Sequence, residues 1–215
     1  MNHQTRIKIC GITRLEDAQA ALALGADALG LVFVKKSPRY IDPPQARAIL
    51  EQLPPFVTVV GLFMDHTAAD VAAILRSVPL NLLQFHGDEP AEFCENFELP
   101  YIKAIPMGAG VDPLAYAALH PAAKAFLLDS HGGGKSGGSG TTFDWAAIPR
   151  DFPRPLILAG GLDANNVESA ITTIRPYAVD ISSGVEAAKG IKDAGKMAAF
   201  IAAVRKGDRI NANPT

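Results

Sequence analysis

Cysteine is scarce in this chain, with only Cys10 and Cys94 among 215 residues. That excludes a disulfide scaffold. Neither cysteine stands at a metal-ligand spacing, so no metal is expected and a reducing cytoplasm is the natural compartment. Charge of one sign is not in excess either, because 20 Lys and Arg face 22 Asp and Glu for a net −2. A nucleic-acid or membrane-surface partner needs a basic patch, so neither is expected. No apolar run is long enough to span a bilayer. The opening MNHQTRIK lacks the apolar region of a signal peptide. The first apolar run is followed by CGIT and not by GxGxxG, which argues against a nucleotide-binding open sheet.

Core material, by contrast, is plentiful, at 48% hydrophobic residues. It comes in eight short runs: Arg6–Gly11, Ala28–Val34, Thr58–Met64, Asn81–Gly87, Tyr101–Met107, Ala125–Ser130, Pro155–Gly161 and Ala178–Gly184. Continuous apolar runs that end in small or polar residues read as parallel strands buried on both faces. Helical stripes lie between them. Ala46, Ile49, Leu50 and Leu53 follow the i, i+3, i+4, i+7 pattern, as do Val71, Ile74, Leu75 and Val78. Val167, Ala170, Ile171 and Ile174 form a third stripe, and Met197, Phe200, Ile201 and Val204 a fourth. Weaker helices fit at 14–24, 89–97 and 112–120, with a short sixth near 144–148. Eight strands alternating with eight helices predict a single (β/α)8 TIM barrel over residues 1–215. A doubly wound open sheet is the alternative. The polar end GDRINANPT, residues 207–215, reads as a disordered tail.

The stretch RIKICGIT organises the rest. Side chains alternate along a strand, so Ile7 and Ile9 share one face and Lys8 and Cys10 the other. A thiol then stands on the last pleat, with an ammonium one pleat below that could favour its thiolate. Gly11 permits a tight bend, and Thr13 is the expected cap of the first helix.

Barrel chemistry sits at the C-terminal strand ends. There the sequence places Cys10, Arg39 in SPRY, His86, Asp129, Gly160–Gly161, and Ser182, Ser183 and Gly184. The glycine and serine loops after strands seven and eight suit an anion, helped by a short extra helix near residues 185–190. Asp129 shares strand parity with Leu127 and should point into the mouth. Asp180 shares the inward face of strand eight with Ser182 and lies beside strand one, which makes it the expected partner of Lys8. Arg39 suits a carboxylate held through two parallel hydrogen bonds. His86 reads as a polar wall residue and Cys94 as inert core. The segment HGGGKSGGSGTTFDW, 131–145, fails the Walker pattern because Asp129 stands where its first glycine belongs. A flexible lid suits it better.

Together KICGIT, SPRY, LQFHGDE, LLDS, GGSGTTFDW, AGGL and VDISSGVE resemble the phosphoribosylanthranilate isomerase family of tryptophan biosynthesis. The resemblance covers roughly residues 6–204. Ser139 stands where that family commonly has Thr, and Lys189 where it commonly has Pro. The likeness implies an Amadori rearrangement of N-(5-phosphoribosyl)anthranilate, an internal redox that needs no cofactor. It implies Cys10 as general base and Asp129 as general acid. The implied substrate-binding set is Arg39 on the anthranilate carboxylate, His86, Asp180, and Gly160, Gly161, Ser182, Ser183 and Gly184 around the phosphate. The partner expected is thus a small phosphorylated molecule, taken by a monomer or a homodimer. A histidine-pathway Amadori isomerase would put aspartate at position 10. An indole-glycerol-phosphate synthase would bring a lysine–glutamate acid–base set. A phosphate-binding module without turnover would leave the thiol and the acid unexplained.

Overall fold

In the computed structural model, residues 4–130, 144–149 and 151–212 are described. Eight parallel strands pair in sequence order and close on themselves, β8 against β1. The strands are β1 (Arg6–Cys10), β2 (Ala28–Val32), β3 (Thr58–Phe63), β4 (Leu82–Phe85), β5 (Tyr101–Pro106), β6 (Ala125–Asp129), β7 (Leu156–Leu158) and β8 (Ala178–Ile181). The helices are α1 (Leu15–Ala23), α2 (Pro43–Leu50), α3 (Ala68–Ser77), α4 (Ala91–Cys94), α5 (Pro113–Ala118), α6 (Val167–Ile174) and α7 (Ala194–Ala212). The expected sixth helix is a single 3-10 turn, Trp145–Ala147. The barrel is therefore the predicted one, and the open sheet is excluded.

Alternation separates two apolar layers. Ile7, Ile9, Leu29 and Leu31 face outward into the large core beneath the helices. Ile102, Ala104, Ala125, Leu127, Ile157, Ala159 and Ala178 face inward and fill the barrel itself. The inner series continue upward into Asp129 after Leu127 and into Asp180 and Ser182 after Ala178. The same parity carries Lys8 to Cys10 and Gln84 to His86. Several runs leave the strand conformation before their last residues, β8 at Ile181 and β7 at Leu158. Those last residues bend over the mouth.

Caps place the helices. Asp42 accepts from Gln45 N at 2.8 Å ahead of two prolines, and Thr67 accepts from Asp70 N at 3.1 Å. Two local expectations are corrected. The residue capping α1 is Arg14, with no side-chain cap, because the Thr13 hydroxyl donates instead to Gly190 O. Residues 207–212 are not a disordered tail, since α7 runs on to Ala212. Its polar residues are engaged: Asp208 accepts from Thr5 N and Oγ1, at 3.1 and 2.6 Å, and Asn211 Nδ2 donates to Ile171 O at 3.1 Å. No helix among the described residues is long and apolar enough to cross a membrane.

Candidate active site

An open pocket lies at the C-terminal end of the barrel. All ten predicted site residues line it: Cys10, Arg39, His86, Asp129, Gly160, Gly161, Asp180, Ser182, Ser183 and Gly184. The segment read as a lid lies outside the described residues as far as position 143, and Ser139 with it.

The floor is charged. Lys8 Nζ donates to Asp180 Oδ1 at 2.9 Å, and both side chains are buried. Burial works against the Lys8 ammonium, but the adjacent carboxylate and thiol outweigh it and its pKa is raised. Cys10 stands above this pair, 5% exposed. Gly30 on β2 makes the space, since a Cβ there would lie 2.8 Å from Cys10 Sγ and 3.1 Å from Lys8 Nζ. Lys8 does pull the thiol toward ionisation, as does Lys192, but burial is the larger influence and the Cys10 pKa is raised. The expected pull of Lys8 toward the thiolate is therefore present, and burial outweighs it. Cys94 is simply buried, its pKa pushed up to about 12 by desolvation.

Across the mouth stand Asp129 and His86, with His86 Nε2 3.4 Å from Asp129 Oδ2. Gln84 Nε2 lies 3.1 Å from His86 Nδ1. If the amide donates there, His86 keeps its proton on Nε2, facing the carboxylate. The sequence reading did not single out Gln84. Only its inward parity, two residues before His86, could have marked it. Gly160 adopts φ +81°, and a Cβ would lie 2.8 Å from Asp129 Oδ1. A glycine is needed there for the β7 loop to approach the acid.

Arg39 is the second residue of the mouth whose surroundings local sequence did not reveal. Its Nε and Nη2 donate to Glu186 Oε1 and Oε2 at 2.7 and 2.9 Å. Lys192 Nζ reaches the same Oε1 at 3.0 Å. Glu186 and Lys192 face each other on a small antiparallel hairpin after β8, strands β9 (Glu186–Ala188) and β10 (Ile191–Lys192). This hairpin replaces most of the extra helix expected at residues 185–190. Only a 3-10 turn at Ser183–Val185 precedes it. Lys189 is exposed near the hairpin turn.

The Gly160–Leu162 and Ser182–Gly184 loops complete the lining of the pocket. A thiol, a carboxyl, a guanidinium and a small-residue rim thus surround one cavity. Fold and site together define an enzyme of the (β/α)8-barrel class, with acid–base groups on strands set apart around a single mouth.

Comparison with known proteins gives the family. The sequence model of N-(5'phosphoribosyl)anthranilate (PRA) isomerase matches residues 7–203, and the chain belongs to that family. It is 56% identical over 204 residues to the N-(5'-phosphoribosyl)anthranilate isomerase of Pseudomonas paraeruginosa, covering 95% of this chain and 97% of that one. Among solved structures, the phosphoribosyl anthranilate isomerase of Thermus thermophilus is similar, with a TM-score of 0.84 and 43% identity. That match covers 94% of this chain and 98% of that one. A further isomerase structure, in complex with reduced 1-(o-carboxyphenylamino)-1-deoxyribulose 5-phosphate, matches with a TM-score of 0.82 and 42% identity. It covers 94% of this chain and 99% of that one.

Proposed function

We propose that this mouth converts N-(5'-phosphoribosyl)anthranilate into 1-(2-carboxyphenylamino)-1-deoxyribulose 5-phosphate in tryptophan biosynthesis, with Cys10 and Asp129 as its acid–base pair. Asp129 protonates the ribose ring oxygen as the ring C1–O bond breaks, which gives an open-chain iminium. Cys10 then takes the proton from C2, and the electrons of that bond form the enolamine. Tautomerisation adds a proton at C1 and releases one from the C2 hydroxyl. C1 is reduced and C2 oxidised by two electrons, so no outside oxidant or reductant enters. Arg39 meets the anthranilate carboxylate, and the Gly160–Gly161 and Ser183–Gly184 backbones meet the phosphate. Asp180 keeps Lys8 charged under the thiol. His86 borders the acid. As a pathway enzyme acting on a charged sugar phosphate, the chain is assigned to the cytoplasm and to a monomer or homodimer.

One observation carries this reading. Cys10 and Asp129, on the inner faces of β1 and β6, converge on the pocket that also holds Arg39 and the small-residue rim. The ligand of the related complex bears both groups that those surroundings suit, a carboxyphenyl ring and a 5-phosphate. Cys10→Ser and Asp129→Asn should each lower kcat on the order of 10²-fold or more, the lower range for acid–base catalysis. Both variants should retain affinity for the reduced product analogue, because neither group is assigned to carboxylate or phosphate. Full activity in Cys10→Ser would make the thiol a core residue and leave the base elsewhere.

A further inference from the structure

The Arg39 side chain is long, and arginine carries about 2 kcal/mol of rotamer entropy when unrestrained. Here its backbone, stem and head are each held. Ser37 Oγ accepts from the Arg39 backbone N–H at 3.1 Å. Gly11, at φ +77°, lets the stem pass, since a Cβ there would lie 2.7 Å from Arg39 Cδ. Glu186 then grips the guanidinium along its Nε–Nη2 edge. Glu186 is itself restrained, because Lys192 Nζ donates to its Oε1 at 3.0 Å and to Ser182 O at 3.1 Å. The backbone N–H of Lys192 donates to Asp17 Oδ2 on α1 at 2.9 Å. The turn of the hairpin is pinned where Gly190 O accepts from Thr13 and Gly190 lies against Pro38 O.

We propose that Glu186, braced by Lys192, is a positioning residue that presents Arg39 to the mouth and thereby sets the preference for substrates with an aryl carboxylate. The proposal rests on Arg39 being the carboxylate contact assigned above. The trio holds two positive charges and one negative. Burial opposes ionisation of Glu186, yet bonds from Arg39 and Lys192 outweigh it and hold its pKa below the ordinary carboxylate value. Glu186 is therefore a charged anchor in the neutral range. A glutamine there keeps the size but gives up the two-oxygen match to the guanidinium edge. It also leaves Arg39 and Lys192 facing each other without a counter-charge. Arg39 then samples other rotamers, and each productive encounter with a carboxylate must order it again.

The test compares two ligands by calorimetry on the full-length enzyme. One is reduced 1-(o-carboxyphenylamino)-1-deoxyribulose 5-phosphate. The other is the same compound without the ring carboxylate. Glu186→Gln should weaken the first about 10-fold, the effect of one charge-assisted hydrogen bond, and leave the second nearly unchanged. In turnover it should raise KM more than it lowers kcat. Adding Glu186→Gln to Arg39→Ala should cost nothing further in discrimination. Lys192→Met should shift the same discrimination in the same direction by a smaller factor, and it serves if Glu186→Gln folds poorly. Equal weakening of both ligands by both variants would make the hairpin general structural support and overturn the proposal. If Arg39→Ala itself keeps full discrimination, the assignment of Arg39 fails first. If Arg39→Ala abolishes discrimination while Glu186→Gln and Lys192→Met preserve it, only the role of Glu186 is lost.

Discussion

Two lysine–glutamate pairs are buried near the same end of the barrel, and they do opposite things. Lys192 and Glu186 are 3.0 Å apart, Lys103 and Glu89 2.9 Å, and both lysine side chains are fully covered. Glu89 uses its oxygens on the chain itself, accepting from Asp65 N at 2.9 Å and Gly87 N at 3.0 Å. Lys103 donates to Gly87 O as well. That pair ties the loops after β3 and β4 together and lines no part of the pocket. Glu186 instead shares its oxygens between Lys192 and Arg39, which does line it. A buried ion pair is a costly construction whose attraction only roughly repays desolvation. Its worth depends on what its remaining hydrogen bonds hold: backbone in one case, a pocket-lining arginine in the other.

That contrast can be broken by removing one partner from the pair that lines no pocket. Lys103→Met strands Glu89 and should destabilise the fold by about 3–5 kcal/mol, measured by urea unfolding. The kcat and KM of the folded fraction should stay close to wild type. A selective rise in KM would mean that Lys103 also reaches the substrate and that the two pairs are not distinct in kind. A subtler difference concerns the thiol. In the proposed reaction Cys10 is the base, so activity requires its proton to be absent, and its raised pKa should make kcat/KM climb with pH through neutrality and beyond. Lys192 is among the groups that favour the thiolate, and Lys103 is not. Lys192→Met should therefore displace that climb to higher pH, and Lys103→Met should not move it. A profile already flat below about pH 7, the neutral range where an ordinary thiol is still protonated, would remove Cys10 as the titrating group.

The smallest effect belongs to His120, which stands on the Lys103 side and stacks on Tyr116 with ring centroids 5.8 Å apart. Burial, with help from Lys103, lowers its pKa from 6.5 to about 4. The unfolded chain takes up a proton that the folded one refuses, so stability present above about pH 6.5 declines as pH falls toward 4. His120→Phe should flatten that part of the stability curve modestly. An unchanged slope would place the acid sensitivity in other groups.

Most of the barrel was readable because its signals are local. Strand parity alone put Cys10, Asp129 and Asp180 on the inner face, and closure then brought Lys8 to Asp180 across 172 positions. Arg39 was readable as a carboxylate binder, but its anchor was not. Glu186 lies 147 residues away in a polar stretch that carries no apolar period to mark it as buried. The net direction of the Cys10 shift was hidden for a related reason. A sequence displays the neighbouring ammonium of Lys8, but the degree of desolvation depends on the whole enclosure. The supposed tail failed differently: Asp208 and Asn211 look like solvent-facing residues, and in the fold their polarity is spent on Thr5 and Ile171.

The closure of β1 against β8 also has a consequence for the order of synthesis. The strand bearing the thiol is made well before the strand that completes its floor. Its floor partner Asp180, the brace at Lys192 and the clasp of Asp208 on Thr5 follow some 170 to 200 residues later. At roughly 5–20 residues per second, Cys10 waits on the order of ten seconds or more beside a lysine that has no counter-charge yet. The first strand thus waits for the eighth, and until β8 pairs with it the thiol stands over a floor that is only half built.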